Sequence, residues 1–284
     1  MKSITGKTKV CGVIGKPIDH TLSPLIHHTI AAFTHENLAY VPFLVEENRV
    51  EDALKGAHAL GIKGLNVTMP HKKAVMPCCV EIDSLAQQVD AVNTLVWTPE
   101  GYKGYNTDAM GLRRALKHQG ISFEGQNVAI IGSGGASYAT VVSVMEEARS
   151  IHIFNRTKEN ARVLQAHFKE TCPVPIIIYE MEEKPKVNID VVIQTTGVGM
   201  GNLKGQMPKG ASELLEQANA AVDLIYNPSE TVFLKEARHR DLKRMNGFDM
   251  LFYQAIIAYE LMHHVTIDES SIQAIYMELM KEIG

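Results

Sequence analysis

The sequence predicts an α/β protein of two domains, and three observations carry that prediction. Strand and helix patterns alternate through the first third, a strand, glycine turn, helix and second strand follow one another in the middle, and past Gly247 the pattern turns helical again. At 284 residues the chain is long enough for two cores of ordinary size. Its 45% apolar and 21% charged residues are those of an ordinary globule, which excludes a disordered, collagen-like or disulfide-scaffold chain.

Taken in order, Val10 to Ile14 reads as a strand stopped by Gly15-Lys16-Pro17. Ser23-Pro24 reads as a helix start, with Ser as N-cap and Pro in the first helical position. Leu38 to Val45 is a strand, and Val50 to Leu60 a helix ended by Gly61. Gly64 to Met69 is a strand running into Pro70, with a helix expected after it. Gly111 to Gln119 has helical spacing, and Asn127 to Ile131 is a compact apolar strand leading straight into Gly132-Ser133-Gly134-Gly135-Ala136. A helix from about Ala136 to Glu147 and a strand from Ser150 to Phe154 complete a βαβ unit of the expected length, about 30 residues. Later strands fit Ile176 to Tyr179, Val191 to Gln194 and Ala221 to Leu224; Leu251, Ala255, Ile256, Tyr259 and Leu261 then mark an amphipathic helix. A nucleotide-binding domain is expected at 109–246, interrupting a first domain made of 1–108 and 247–284.

A net charge of -4 with no basic run gives no footprint for nucleic acid or anionic lipid, so small-molecule partners are expected. Cys11, Cys78, Cys79 and Cys172 lack metal-ligand spacing and read as reduced structural thiols, with no metal expected. The segment Met1 to Val10 carries Lys2, Lys7 and Lys9 without an apolar run behind it, and no window approaches the roughly 18 apolar residues of a membrane span; the cytoplasm is the expected compartment. Met250, Leu251, Phe252 and Tyr253 suit either a partner surface or core packing, so monomer and homodimer both stay open.

A dinucleotide pyrophosphate needs backbone N–H groups at a helix N-terminus and a turn without bulky side chains. Gly132, Ser133, Gly134, Gly135 and Ala136 supply one, although the pattern lacks a standard third glycine. At the second strand end an NAD enzyme normally presents Asp or Glu to the ribose. This chain has Asn155-Arg156-Thr157-Lys158, with no carboxylate at that point and with a guanidinium fit to bind a 2′-phosphate, so NADP is the favoured cofactor. Read alone, Arg156 also fits an exposed turn residue and Thr157 an N-cap.

Polar clusters also end the predicted strands of the first domain: Thr21 and Ser23; Asn66, Thr68 and Lys72; Asn93; Asn106, Thr107 and Asp108. Such groups suit a polyhydroxylated ring with a carboxylate. Singly, Asn66 and Thr68 also fit turn residues, Ser23 a plain N-cap, Asp108 a helix cap, and Lys72 a solvated lysine beside Lys73.

Together these motifs resemble the shikimate dehydrogenase family: Gly15-Lys16-Pro17-Ile18-Asp19-His20-Thr21-Leu22-Ser23-Pro24, Gly64 to Lys72, Ala91-Val92-Asn93-Thr94, Gly104 to Asp108, the glycine turn, Asn155-Arg156-Thr157, Asp223 to Pro228, and Gly247 to Gln254. The resemblance implies a Rossmann NADP-binding domain inserted into a discontinuous α/β substrate-binding domain, and reduction of 3-dehydroshikimate to shikimate. It implies Lys72 and Asp108 as the catalytic pair, and Thr21, Ser23, Asn66, Thr68, Asn93, Tyr226 and Gln254 around the substrate. The glycine turn, Asn155 to Lys158 and Gly247 would serve the cofactor. Three positions depart from the family pattern: Thr21 where Ser is usual, Asn160 where many NADP-using members carry a second Arg, and Gln194 in place of Asn. A quinate-preferring enzyme using either cofactor and a non-catalytic sensor of shikimate-like metabolites are the alternatives.

Overall fold

The structure is a computed structural model that describes residues 3–283; Lys2 of the N-terminal segment lies outside them. The chain forms two units, one of residues 1–107 with 254–284 and one of residues 108–253, so the second is an insertion in the first. The second boundary falls inside a helix rather than at its start near Gly247.

Unit 1 contains β1 (Lys9–Gly15), α1 (Ser23–Phe33), β2 (Leu38–Leu44), α2 (Val50–Ala59), β3 (Gly64–Val67), β4 (Cys79–Ile82), α3 (Ser84–Val89), β5 (Thr94–Thr98) and β6 (Gly101–Tyr105). Its sheet has the order β2-β1-β3-β5-β6-β4. β1 pairs in parallel with both β2 and β3, whereas β5 is antiparallel to β3 and β6. Ile14, Leu54, Leu65, Val67, Val75 and Leu95 form the centre of a core under this sheet.

Two expectations fail here. Ser23 is not the N-cap of α1: Leu22 holds that position, and no side chain caps the helix. The residues after Pro70 are not a helix; 69–75 run through turns into a short 3-10 turn at Met76–Cys78 and then β4. The diversion has a visible cause. The Lys72 carbonyl accepts from the Val92 N–H (2.9 Å), so a tertiary partner takes a backbone group that would continue a helix, and the His71 ring anchors the segment on the Val45 carbonyl (2.9 Å).

Unit 2 contains α4 (Asp108–His118), β7 (Asn127–Ile131), α5 (Gly135–Val144), β8 (Ser150–Asn155), α6 (Lys158–His167), β9 (Ile176–Glu180), β10 (Val191–Gln194), α7 (Ala211–Leu215), β11 (Ala220–Asp223), α8 (Val232–His239) and β12 (Lys243–Met245). All pairings are parallel, in the order β12-β11-β10-β7-β8-β9. Counting the six strands along the chain, this is 6-5-4-1-2-3, the doubly wound arrangement whose order reverses between β7 and β10. Helices on both faces explain the uninterrupted apolar run: Val128, Ala129, Ile130 and Ile131 are all fully buried.

Two helices close the chain, α9 (Gly247–His263) and α10 (Glu269–Ile283). α9 does not have the one-sided pattern expected of it: Phe252, Tyr253, Ala255, Ile256, Ala258 and Tyr259 are all buried, which covers most of its circumference. Phe252 and Tyr253 are thus packed inside rather than free for a partner.

Candidate active site

In unit 1, most of the sequence-derived polar residues converge at one end of the sheet. Asn66 lies on β3, Asn93 just before β5, and Thr107 just after β6. The Asn93 carboxamide is held from several sides. Its Oδ1 accepts from the Thr107 N–H (2.8 Å) and from the Thr94 hydroxyl (3.0 Å), and its Nδ2 donates to the Thr107 hydroxyl (3.0 Å) and Gln254 Oε1 (3.4 Å). With its oxygen turned toward Asn93 and Thr107, Gln254 has its amino group on the opposite edge of the carboxamide. Asn106 donates to the Ala91 carbonyl (2.9 Å), which fixes the segment ahead of Asp108.

Asn66 is 6% exposed and oriented by a residue that the sequence did not single out. The Tyr40 hydroxyl donates to Asn66 Oδ1 at 2.7 Å, and this leaves Nδ2 to face Thr94 Oγ1 (3.2 Å) and the Asn93 carbonyl (3.4 Å). Tyr40 on β2 and Asn66 on β3 flank β1, so only the sheet order brings them together. The His27 ring stacks on Tyr40 at 4.0 Å, and its burial lowers the imidazole to about 3, so it is neutral.

Thr21 and Ser23 form a hydroxyl pair at the N-terminus of α1. The Thr21 hydroxyl donates to Ser23 Oγ (3.1 Å) and accepts from the Ser23 N–H (3.2 Å). Both hydroxyls stand at the start of α1, where the helix dipole favours negative charge, an arrangement suited to a carboxylate. Lys72 and Lys73 part company: Lys73 is 62% exposed and paired to Asp90, while Lys72 is half-buried on a loop pinned through its carbonyl. Thr68 is half-buried, its N–H bonded to the Ile14 carbonyl (3.0 Å).

In unit 2, the glycine turn follows β7 and faces the start of the loop after β10, the two strand ends that border the reversal of order. Gly132 has φ +114°, and a Cβ there would stand 2.6 Å from Thr195 Oγ1, so both backbone and neighbours demand glycine. Gly134 and Gly135 differ: a Cβ on either meets nothing within 4 Å. The space beside the first turn of α5 is open and no side chain caps the helix there, which fits a dinucleotide pyrophosphate. Ser133 is half-buried and Ala136 exposed in the same turn.

At the end of β8, Asn155 donates to the Thr157 carbonyl (2.9 Å), closing the turn on which Arg156 stands exposed. Thr157 occupies the N-cap position of α6, but its side chain makes no capping bond. Lys158 lies close to Glu183 (2.9 Å) and Glu180 (3.7 Å).

Gln194 and Asp223 are buried organisers that carried no role in the sequence. Gln194 gathers the following loop, donating to the Thr196 and Val198 carbonyls (3.1 and 2.9 Å) and accepting from the Thr196 N–H. Asp223 accepts from the Thr231 hydroxyl (2.6 Å) and the Ile225 N–H (3.0 Å), setting the course of the chain to Tyr226, whose phenol burial pushes upward. Gly247 packs against the same segment: a Cβ would meet the Leu224 carbonyl at 2.1 Å, so backbone crowding alone requires glycine. Asp108 is half-buried as the first residue of α4, one peptide bond beyond the Asn93-bound Thr107. Among the described residues no cluster of three or more His, Cys, Asp or Glu could hold a metal ion, and no helix is long and apolar enough to cross a membrane.

The shikimate dehydrogenase substrate-binding domain family matches residues 13–95, and the shikimate/quinate 5-dehydrogenase family matches residues 114–229. A shikimate dehydrogenase (NADP+) of Caldanaerobacter subterraneus subsp. tengcongensis is 42% identical over 260 residues, 91% of this chain and 92% of that protein. A solved shikimate dehydrogenase in complex with NADP+ superposes with a TM-score of 0.88 at 34% identity, over 97% of each chain. A shikimate 5-dehydrogenase from Listeria monocytogenes, in complex with shikimate and NAD, gives 0.89 at 27% identity over 98% of this chain and 99% of that one. Motifs, two-sheet architecture and near full-length similarity agree, and the chain belongs to the shikimate dehydrogenase family.

Proposed function

We propose that this chain catalyses the reversible NADP-dependent reduction of 3-dehydroshikimate to shikimate in aromatic amino acid and chorismate biosynthesis, in the cytoplasm, as a monomer or homodimer. The observation that carries the reading is the 42% identity to a shikimate dehydrogenase (NADP+) across nine tenths of both chains.

The residues of unit 1 divide the work by chemistry. Thr21 and Ser23, with the N-terminus of α1, receive the ring carboxylate. Asn66, Thr68, Asn93 and Gln254 meet the ring hydroxyls as donors and acceptors in fixed orientations, so ordering costs little when substrate binds, and the family resemblance adds Tyr226. Bound NADPH supplies the hydride; Gly132 to Ala136 and the α5 N-terminus hold its pyrophosphate, Asn155 to Lys158 the adenosine ribose, and Gly247 gives close approach. Reducing a ketone also requires a proton at oxygen. Lys72 donates it, and its ammonium stabilises the developing alkoxide before transfer, with Asp108 as the carboxylate that directs it. In alcohol oxidation the same lysine takes the proton back.

Lys72→Ala is expected to lower kcat by about 10²–10⁴-fold, the usual range for a positioned acid or base, with NADPH affinity nearly kept. An unchanged kcat would remove Lys72 from the chemistry. A second reading, acceptance of quinate or of NAD, is favoured by the quinate named in the matched family and by the NAD held in the Listeria relative.

A further inference from the structure

The turn expected to read the cofactor ribose is less basic than its sequence. Arg156 and Lys158 stand two residues apart, and with Asn160 in place of a second arginine, Lys158 is the natural helper in binding a 2′-phosphate. The neighbouring strand alters this. Asn155, the last residue of β8, is in register with Glu180, the last residue of β9, so the Glu180 side chain starts about 5 Å from the base of the Arg156 turn. The chain then turns back through a bond from the Glu180 N–H to Glu183 Oε2 (3.1 Å), which brings a second carboxylate to the same edge. Both face Lys158, at 3.7 and 2.9 Å. Arg162, one turn along α6, is taken by Glu159 at 3.0 Å. Arg156 makes no ion pair among the described residues.

We propose that Glu180 and Glu183 set this chain's discrimination between dinucleotides with and without a 2′-phosphate, by holding the Lys158 ammonium and placing negative charge beside Arg156. The inference rests on the reading that this turn receives the adenosine ribose. A phosphate arriving there competes with two carboxylates for Lys158, so its gain from that lysine is small, and Arg156 carries the recognition. A non-phosphorylated ribose has no charge at that point and is indifferent to the pair. The consequence is a preference for NADP held below what an Arg-x-Lys turn alone would give.

The test measures binding rather than turnover: dissociation constants for 2′,5′-ADP and 5′-ADP by calorimetry on the full chain, with thermal melting to check folding. Glu183→Gln keeps an oxygen for the Glu180 N–H and removes the charge. It is expected to tighten 2′,5′-ADP about three- to fivefold, the upper part of what one exposed ion pair delivers, and to leave 5′-ADP unchanged. Glu180→Gln with Glu183→Gln should reach about tenfold, and adding Lys158→Gln should remove the part of that gain that runs through Lys158. In the otherwise unaltered chain, Lys158→Gln should cost threefold or less. A larger loss there, or an unchanged ratio of the two affinities in the doubly substituted chain, overturns the inference. Arg156→Gln separates the two levels: a collapsed ratio keeps the ribose at this turn even if the glutamates prove inert, whereas an unchanged ratio overturns the placement itself.

Discussion

Asp223 offers a test in which the sign and size of the effect follow from the structure. The carboxylate is fully buried at the end of β11, and burial pushes it up to about 6, against the opposing pull of the Thr231 hydroxyl and the Ile225 N–H. Its ordinary value is 3.8, so the folded chain binds this proton more tightly than the unfolded chain does. The contribution of Asp223 to stability is therefore fully present below about pH 3.8 and lost as pH rises through about 6. A gap of about two units corresponds to roughly 3 kcal/mol over the whole titration, of which roughly 2 kcal/mol lies between pH 4.5 and 7.5. Asp223→Asn keeps the shape and does not titrate. In urea unfolding followed by circular dichroism, the stability of the wild-type chain relative to the variant should rise by roughly 2 kcal/mol from pH 7.5 to pH 4.5. A difference that stays flat across that range, or falls, refutes the burial argument.

Other expectations follow from particular contacts. Gly132→Ala should destabilise the fold by about 1–3 kcal/mol, because φ is +114° and the methyl would stand 2.6 Å from Thr195 Oγ1, whereas Gly135→Val should melt near the wild-type temperature yet weaken NADPH binding at least about tenfold. Calorimetry and melting curves on both variants check the contrast. Tyr40→Phe removes the 2.7 Å bond to Asn66 Oδ1; an unsatisfied buried oxygen costs about 1–3 kcal/mol of stability, and initial rates should show KM for the ring acid raised about tenfold with NADPH affinity unchanged. An unchanged KM would mean that Asn66 does not need Tyr40 for its orientation.

What could be read in advance depended on whether a residue's role is local. β7 was legible because a parallel strand buried on both faces must be apolar without interruption, and the glycine turn because close approach to an anion permits few residue types. β12 was not: Lys243-Arg244-Met245 lies at a sheet edge and buries only Met245, so no apolar pattern announces it. The helix expected after Pro70 failed because Val92, distant in sequence, claims the Lys72 carbonyl, while the His71 ring is anchored on Val45. Most polar residues that converge at one end of the unit 1 sheet could be named from their types and positions. Their supports could not, since Tyr40 becomes the partner of Asn66 only when β2, β1 and β3 lie side by side, and Gln194 reveals its part only once its loop is folded around it. Ser23 shows the converse: a Ser-Pro pair that fits helix capping from sequence leaves its hydroxyl to Thr21 instead.

The most direct measurement is a set of initial rates with purified protein, shikimate and quinate each against NADP and NAD, together with reduction of 3-dehydroshikimate by NADPH. The expected result is turnover in both directions, with the highest kcat/KM for shikimate and NADP. Shikimate bound by the protein with no exchange of hydride, whichever cofactor and pH are used, would contradict the assignment.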